Sequence, residues 1–362
     1  MRSPASMTIW EPQINYRGRE DYMKNKFLYT MLLATVLFTF TSCQKKQVDD
    51  NTVADTQAIE ATQTDPTTDP TEHQDTTEAE ATQPIEPVSH ADCVLDDVQQ
   101  VDETSFDCTY ESVKHDFVLD MPEVVENAPL VLMLHGYGES AEGFRQKVAF
   151  EKDANAKGYA VCYVTGAPSP EDATSANGWN SGIGVSSNDD VGFLCALANY
   201  LCETYKLDST RVYAVGFSNG AFMTHRLALE ANDIFAAVVS VAGMMPEGAW
   251  AVQPDTCSVG VFQITGEKDD VIPKNSDGSA KFSKAPAIED VIDYYADKQE
   301  LTVTETASIG KKSTLTKYAS AENTKKVWHL FIPDGRHSWP DEQITGINTN
   351  QLILEYLELY RP

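Results

Sequence analysis

The stretch Val212 to Phe222 reads Val-Tyr-Ala-Val-Gly-Phe-Ser-Asn-Gly-Ala-Phe, an apolar run that meets a Gly-x-Ser-x-Gly turn and then a helical pattern. A strand that reverses into a helix within a couple of residues forces its apex into a strained conformation. Without side chains, Gly216 and Gly220 let the strand and the helix crowd against that apex, which lifts the Ser218 hydroxyl clear of the sheet edge. The helix N-terminus behind it favours developing negative charge. Ser218 is therefore the candidate nucleophile. A glycine-flanked serine is common in ordinary loops, so its setting matters: Arg211 to Val215 reads as a buried strand and Asn219 to Glu230 as an amphipathic helix.

The chain around this unit continues the alternation. Ser105 to Tyr110 and Lys114 to Asp120 read as paired strands, and Leu130 to Leu134, Ala160 to Val164, Ala236 to Val241, Val259 to Ile264 and Val327 to Ile332 as apolar strands. Helical patterns cover Phe144 to Lys157, Asp190 to Tyr205, Ile288 to Lys298 and Asn348 to Leu359. Continuous apolar strands alternating with helices predict an α/β domain over 104–362, a mostly parallel central sheet covered on both faces. Fewer than twenty residues, Ala242 to Cys257, join two of its strands, which leaves no room for a large lid domain there.

The formal net charge is −28, which argues against nucleic acid and anionic membrane surfaces as electrostatic partners. Sixteen Asp and Glu, with no Lys or Arg, lie between Gln47 and Glu103. Residues 44–103, rich in Thr, Asp, Glu, Gln and Pro, bury too little apolar surface to fold and are expected to form an extended acidic linker. Ahead of them Lys24 and Lys26 precede the fourteen-residue apolar run Phe27 to Phe40, too short to span a bilayer and flanked like an export signal. Residues 1–22 then read as an upstream extension, with translation starting at Met23. The exit Ser42-Cys43 resembles a bacterial lipoprotein signal over 23–43. That resemblance implies lipidation of Cys43 and a protein anchored in the cell envelope, outside the cytoplasm. A cleaved secretory signal and an uncleaved anchor are the competing readings.

Seven cysteines are scattered without a Cys-x-x-Cys pair, so no structural zinc site is expected. Cys195 and Cys202 are spaced along one predicted helix by ~10 Å and cannot pair. Export makes a Cys93–Cys108 bridge at the start of the domain an expectation.

A serine nucleophile needs a base, and the base needs an acid that fixes its tautomer. His73 and His90 lie in the linker, His115 in an early strand, His225 inside the helix after Ser218, and His329 inside the last strand. His135 ends a strand and reads as an anchor for the following turn. His337, in Asp334-Gly335-Arg336-His337-Ser338-Trp339-Pro340, sits just past a strand end and is the candidate base. The acid belongs after the preceding strand, where Asp269 and Asp270 are adjacent and the order of residues leaves both open. The oxyanion needs two backbone N–H donors, assigned to Asn219 and, in the turn His135-Gly136-Tyr137-Gly138, to Tyr137. Asp189 and Asp190 open a helix and read as caps. No metal or cofactor is required by this chemistry.

Leu134-His135-Gly136, Asn188-Asp189-Asp190-Val191-Gly192-Phe193-Leu194, Gly216-Phe217-Ser218-Asn219-Gly220-Ala221 and Gly335-Arg336-His337-Ser338-Trp339-Pro340 together resemble the α/β-hydrolase family of polyhydroxybutyrate depolymerase-like and feruloyl esterases. The resemblance runs from about Pro129 to the C-terminus. It implies the α/β-hydrolase fold and a serine carboxylesterase. Placing Pro273 on the proline of the family's His-Gly-Thr-x-Asp-x-x-Val-Pro loop implies Asp269 as the acid, although Thr265 replaces the usual histidine and Glu267 the usual threonine.

An open cleft suits short acyl groups or esters displayed on a polymer. Trp179, Trp339 and Trp250 are candidate cleft aromatics, and Met244 and Met245 candidates for the acyl pocket, each weighed against simple packing. The expected substrates are feruloyl or acetyl esters on plant polysaccharide, with polyhydroxyalkanoate second. A serine peptidase lacks its usual added propeller or specificity domain here, and a surface binding protein without turnover sits poorly with three filled triad positions.

Overall fold

A computed structural model of the chain describes residues 89–172, 174–252, 257–275 and 285–360. The extension at 1–22, the signal at 23–43 with Cys43, and residues 44–88 of the expected linker lie outside the described residues.

Among the described residues eleven strands form one sheet in the order β1-β2-β3-β5-β4-β6-β7-β8-β11-β10-β9. They are β1 Asp97–Gln100, β2 Ser105–Tyr110, β3 Val113–Asp120, β4 Leu130–Leu134, β5 Ala160–Val164, β6 Val212–Phe217, β7 Ala237–Val241, β8 Gly260–Gly266, β9 Val303–Ile309, β10 Ser313–Ala319 and β11 Val327–Ile332. The central strands from β5 through β4, β6, β7 and β8 to β11 are parallel, and the outer strands on both sides are antiparallel. Helices α1 Ala141–Val148, α2 Phe150–Ala156, α3 Asp190–Tyr205, α4 Asn219–Glu230, α5 Glu247–Val252, α6 Ile288–Lys298, α7 Glu342–Thr345 and α8 Thr349–Leu357 fill the crossovers and the C-terminus.

Alternation along β4 shows why both faces are covered. Leu130, Leu132 and Leu134 join a core with α3, α4 and α6, whereas Val131 and Met133 join a second core with α1, α2 and α8. Every residue of β4, β5, β6, β7 and β8 is buried, as parallel strands between two helix layers must be. This is the α/β-hydrolase fold. It delivers the loops after β4, β6, β8 and β11 to one edge of the sheet.

Four expectations need correction. The folded region begins before residue 104: β1 pairs with β2, and His90 is buried, its N–H on Asp233 Oδ2 at 2.8 Å and its Nδ1 2.9 Å from Oδ1. Asn199 of α3 donates to the carbonyls of His90 and Cys93 at 2.9 and 3.2 Å, so a polar segment is held by hydrogen bonds that composition does not register. The expected helix at 144–157 is two helices, broken at Ala149 in the left-handed region with φ 46°. The β9–β10 hairpin adds two strands to the expected sheet; its half-exposed Thr, Ser and Lys residues carry little apolar alternation. Cys93 and Cys108 are unbridged: Cys108 is an inward residue of β2, while the Cys93 backbone is tied to α3.

Candidate active site

Ser218 links β6 to α4 with φ 52° and ψ −116°, a backbone state that a residue with a side chain rarely adopts. Its N–H donates to Val241 O at 3.0 Å, and its carbonyl accepts from Ala221 N and Phe222 N, so the strained turn is held from both sides. A Cβ on Gly216 would stand 2.2 Å from Gly220 O, and one on Gly220 would stand 2.2 Å from Leu134 O. Both glycines are required by the close approach of strand and helix.

His337 arrives on the loop after β11. Its Nε2 lies 2.9 Å from Ser218 Oγ and its Nδ1 lies 2.9 Å from Asp269 Oδ2. A carboxylate only accepts, so Nδ1 carries the proton and the Nε2 lone pair faces the serine hydroxyl. Asp269 is buried, and its other oxygen accepts from Val271 N at 2.9 Å and Ile272 N at 2.7 Å. Asp270 is exposed. The structure thus brings Ser218, His337 and Asp269 into one hydrogen-bonded line.

The turn after β4 faces this line. A Cβ on Gly136 would stand 3.4 Å from Ser218 Cβ. Among the described residues the N–H groups of Tyr137 and Asn219 have no protein acceptor, although both flank the serine. Such donors stabilise charge that develops on a bound oxygen. Gly166 N–H donates to His135 Nε2 at 2.9 Å, which leaves the proton on Nδ1, and Nδ1–H grips Gly136 O at 2.6 Å. That carbonyl belongs to the same peptide group as the Tyr137 N–H, so a buried histidine fixes the direction of the donor. Burial pushes the His135 pKa down and keeps the ring neutral.

Two supporting residues carry no local sequence signal. Glu139 Oε2 accepts from Gly136 N at 3.2 Å, and Asn177 brackets the turn, its O accepting from Gly138 N at 2.8 Å and its Nδ2 donating to Glu139 O at 3.1 Å. Contacts between a turn and a loop some forty residues away leave no local signal. Asn219 also works through its side chain, with Oδ1 accepting from Trp179 N at 2.7 Å and Nδ2 donating to Ser181 Oγ at 2.6 Å.

Trp179 and Met244, expected in the cleft, are instead fully buried. Trp179 packs under the turn with Nε1–H on His135 O at 2.9 Å, and Met244 and Met245 belong to the core against α4. Packing wins because the loop at 177–181 folds back onto α4. Trp339 is half-buried, edge-on to Phe144 at 5.8 Å with Nε1–H on Asn350, and Trp250 is half-buried against Tyr294 at 5.9 Å. Asp189 caps α3 through Gly192 N as expected. Asp190 does not: it is fully buried, and Oδ2 accepts from Asn180 N at 2.6 Å while Oδ1 has no partner. Among the described residues no group of three or more His, Cys, Asp or Glu is placed to hold a metal ion.

The family model described as Esterase PHB depolymerase matches residues 115–270, which include Tyr137, Ser218, Asn219 and Asp269. The provisionally named esterase NocK of Nocardia uniformis subsp. tsuyamanensis is 30% identical over 246 residues, 60% of this chain and 67% of that protein. The bifunctional acetylxylan esterase/xylanase XynS20E of Neocallimastix patriciarum is 26% identical over 40% of this chain and 20% of its own. Feruloyl esterase B of Talaromyces funiculosus is 29% identical over 41% of this chain and 44% of its own. The chain therefore spans two thirds of the first relative and less than half of the other two. On these matches and the fold that carries them, the chain belongs to the Esterase PHB depolymerase family.

Proposed function

We propose that this chain is a serine carboxylic-ester hydrolase that works outside the cytoplasm on feruloyl or acetyl esters of plant polysaccharide. The observation that carries the reading is the hydrogen-bonded line Asp269–His337–Ser218 ending beside the free amides of Tyr137 and Asn219. Ser218 Oγ attacks the ester carbonyl while His337 Nε2 takes its proton, and Asp269 balances the imidazolium that forms. The carbonyl oxygen, now an anion, accepts from Tyr137 and Asn219 N–H, each donor lowering the barrier by ~3 kcal/mol. His337 returns the proton to the leaving alcohol, and a water then repeats the sequence on the acyl-serine.

Supporting the substrate are two relatives named for feruloyl and acetylxylan esters, together with the short Ala242 to Cys257 connection in place of a large lid. A second reading, hydrolysis of a polyhydroxyalkanoate, is favoured by the family's own description. The location rests on the signal-like run at 23–43 and on Cys43, with the acidic stretch from Gln44 as a spacer to the catalytic domain. Replacing Cys43 by Ala is expected to move the protein from the membrane fraction to the soluble one.

The test is a panel of short p-nitrophenyl esters, methyl ferulate, acetylated xylan and poly-3-hydroxybutyrate, run on wild type and Ser218→Ala. Loss of roughly 10⁴-fold or more in kcat is expected in the variant. Activity retained within tenfold would exclude the mechanism, and polymer turnover confined to poly-3-hydroxybutyrate would favour the second reading.

A further inference from the structure

Tyr137 is the one aromatic among the large apolar side chains exposed in the described residues, with 51% of its surface open. Among the described residues its backbone amide has no acceptor and lies beside Ser218, and its ring packs over Gly178 next to the side chain of Asn219. The ring is seated: a Cβ on Gly178 would lie 3.0 Å from Tyr137 Cδ2 and 3.3 Å from Asn219 Oδ1. A side chain at 178 would press the ring out of this seat by a few tenths of an ångström. In a chain with net charge −28, an exposed aromatic ring on the turn beside Ser218 is a surface suited to an apolar ligand group.

Stereochemistry decides which part of an ester meets the ring. In the tetrahedral intermediate one bond goes to Ser218 Oγ and one oxygen to the Tyr137 and Asn219 amides. The leaving oxygen must face His337 Nε2, which gives it a proton. The acyl substituent takes the remaining direction, away from His337, and with its carbonyl oxygen held at the Tyr137 amide it stays within reach of the turn that carries that residue. A hydroxycinnamoyl group holds its planar ring two carbons beyond the carbonyl. That reach suits a side chain whose own amide holds the carbonyl oxygen.

We propose that the Tyr137 ring is the platform on which the aromatic ring of a hydroxycinnamoyl acyl group stacks, and that it separates aromatic from acetyl esters. This rests on the esterase reading above. Aromatic stacking of this kind is worth a factor of roughly three to ten.

The test compares kcat/KM for methyl ferulate and for p-nitrophenyl acetate in the full chain, its Y137F variant and its Y137A variant. The ratio of the two constants cancels any common change in the oxyanion amide and any difference in folded fraction. The expected ratio, ferulate over acetate, falls about tenfold in Y137A and stays within twofold of wild type in Y137F. A Y137A ratio within twofold of wild type, with both esters still turned over, overturns the platform alone. An equal fall in Y137F and Y137A also overturns it, because the hydroxyl and not the ring would make the contact. Absence of turnover of either ester by the wild type would overturn the esterase reading together with the platform.

Discussion

Asp189-Asp190 and Asp269-Asp270 are the same dipeptide at two places along the loop edge of the sheet, and each buries one member and exposes or caps with the other. In the second pair the buried carboxylate of Asp269 is surrounded by donors: Val271 N, Ile272 N and His337 Nδ1. In the first pair Asp190 has one donor, Asn180 N, and an oxygen with none. Burial pushes the Asp190 pKa up to about 7, offset in part by the Asn180 hydrogen bond and by Arg226. The difference teaches that burial by itself does not make a carboxylate useful to a catalytic histidine. What matters is a complete set of donors with one of them on the imidazole.

The largest effect that would break this contrast lies at Asp269. Asp269→Asn preserves shape but presents its amide to Nδ1 and favours the wrong tautomer, so kcat is expected to fall ~10³- to 10⁴-fold, read with p-nitrophenyl acetate. A fall of less than tenfold would remove Asp269 from the mechanism.

Next comes Asp190→Asn, which is expected to leave kcat/KM within about threefold and to change stability instead. The folded pKa of Asp190 lies above the unfolded value, so its contribution to stability is full below the ordinary carboxylate range and is lost as pH rises toward about 7. Melting temperatures of wild type and D190N, measured from pH 4.5 to 8, are expected to diverge across that window in favour of the variant. Parallel curves would show that Asp190 is not held protonated. The smallest effect is at Asp270, where exposure predicts that Asp270→Asn changes kcat by no more than about twofold.

How much of this the residues announced in advance follows from how local each signal is. The strand–turn–helix around Ser218 is written in consecutive residues, and the structure forms it where expected, as β6 followed by α4. The loop position of His337 was legible for the same reason, since it required only the end of one apolar strand. The choice between Asp269 and Asp270 was not, because it depends on which of two adjacent side chains turns inward. Trp179 was misread for a related reason: nothing in Asn177-Gly178-Trp179-Asn180 reveals that Asn219 pulls this loop onto the core through Trp179 N and O. Segment 89–103 was assigned to the linker on composition, yet His90 and Asp233, far apart in sequence, tie it to the domain. Long-range hydrogen bonds between polar residues leave no local pattern.

The central claim is that Ser218 is the residue acylated during turnover, and a fluorophosphonate ester tests it most directly. Incubation of the full chain followed by intact mass and peptide mapping should give one phosphonyl group per chain, on Ser218. Labelling should disappear in Ser218→Ala and slow by orders of magnitude in His337→Ala. A label on another residue, or one that persists at the same rate in Ser218→Ala, would contradict the account.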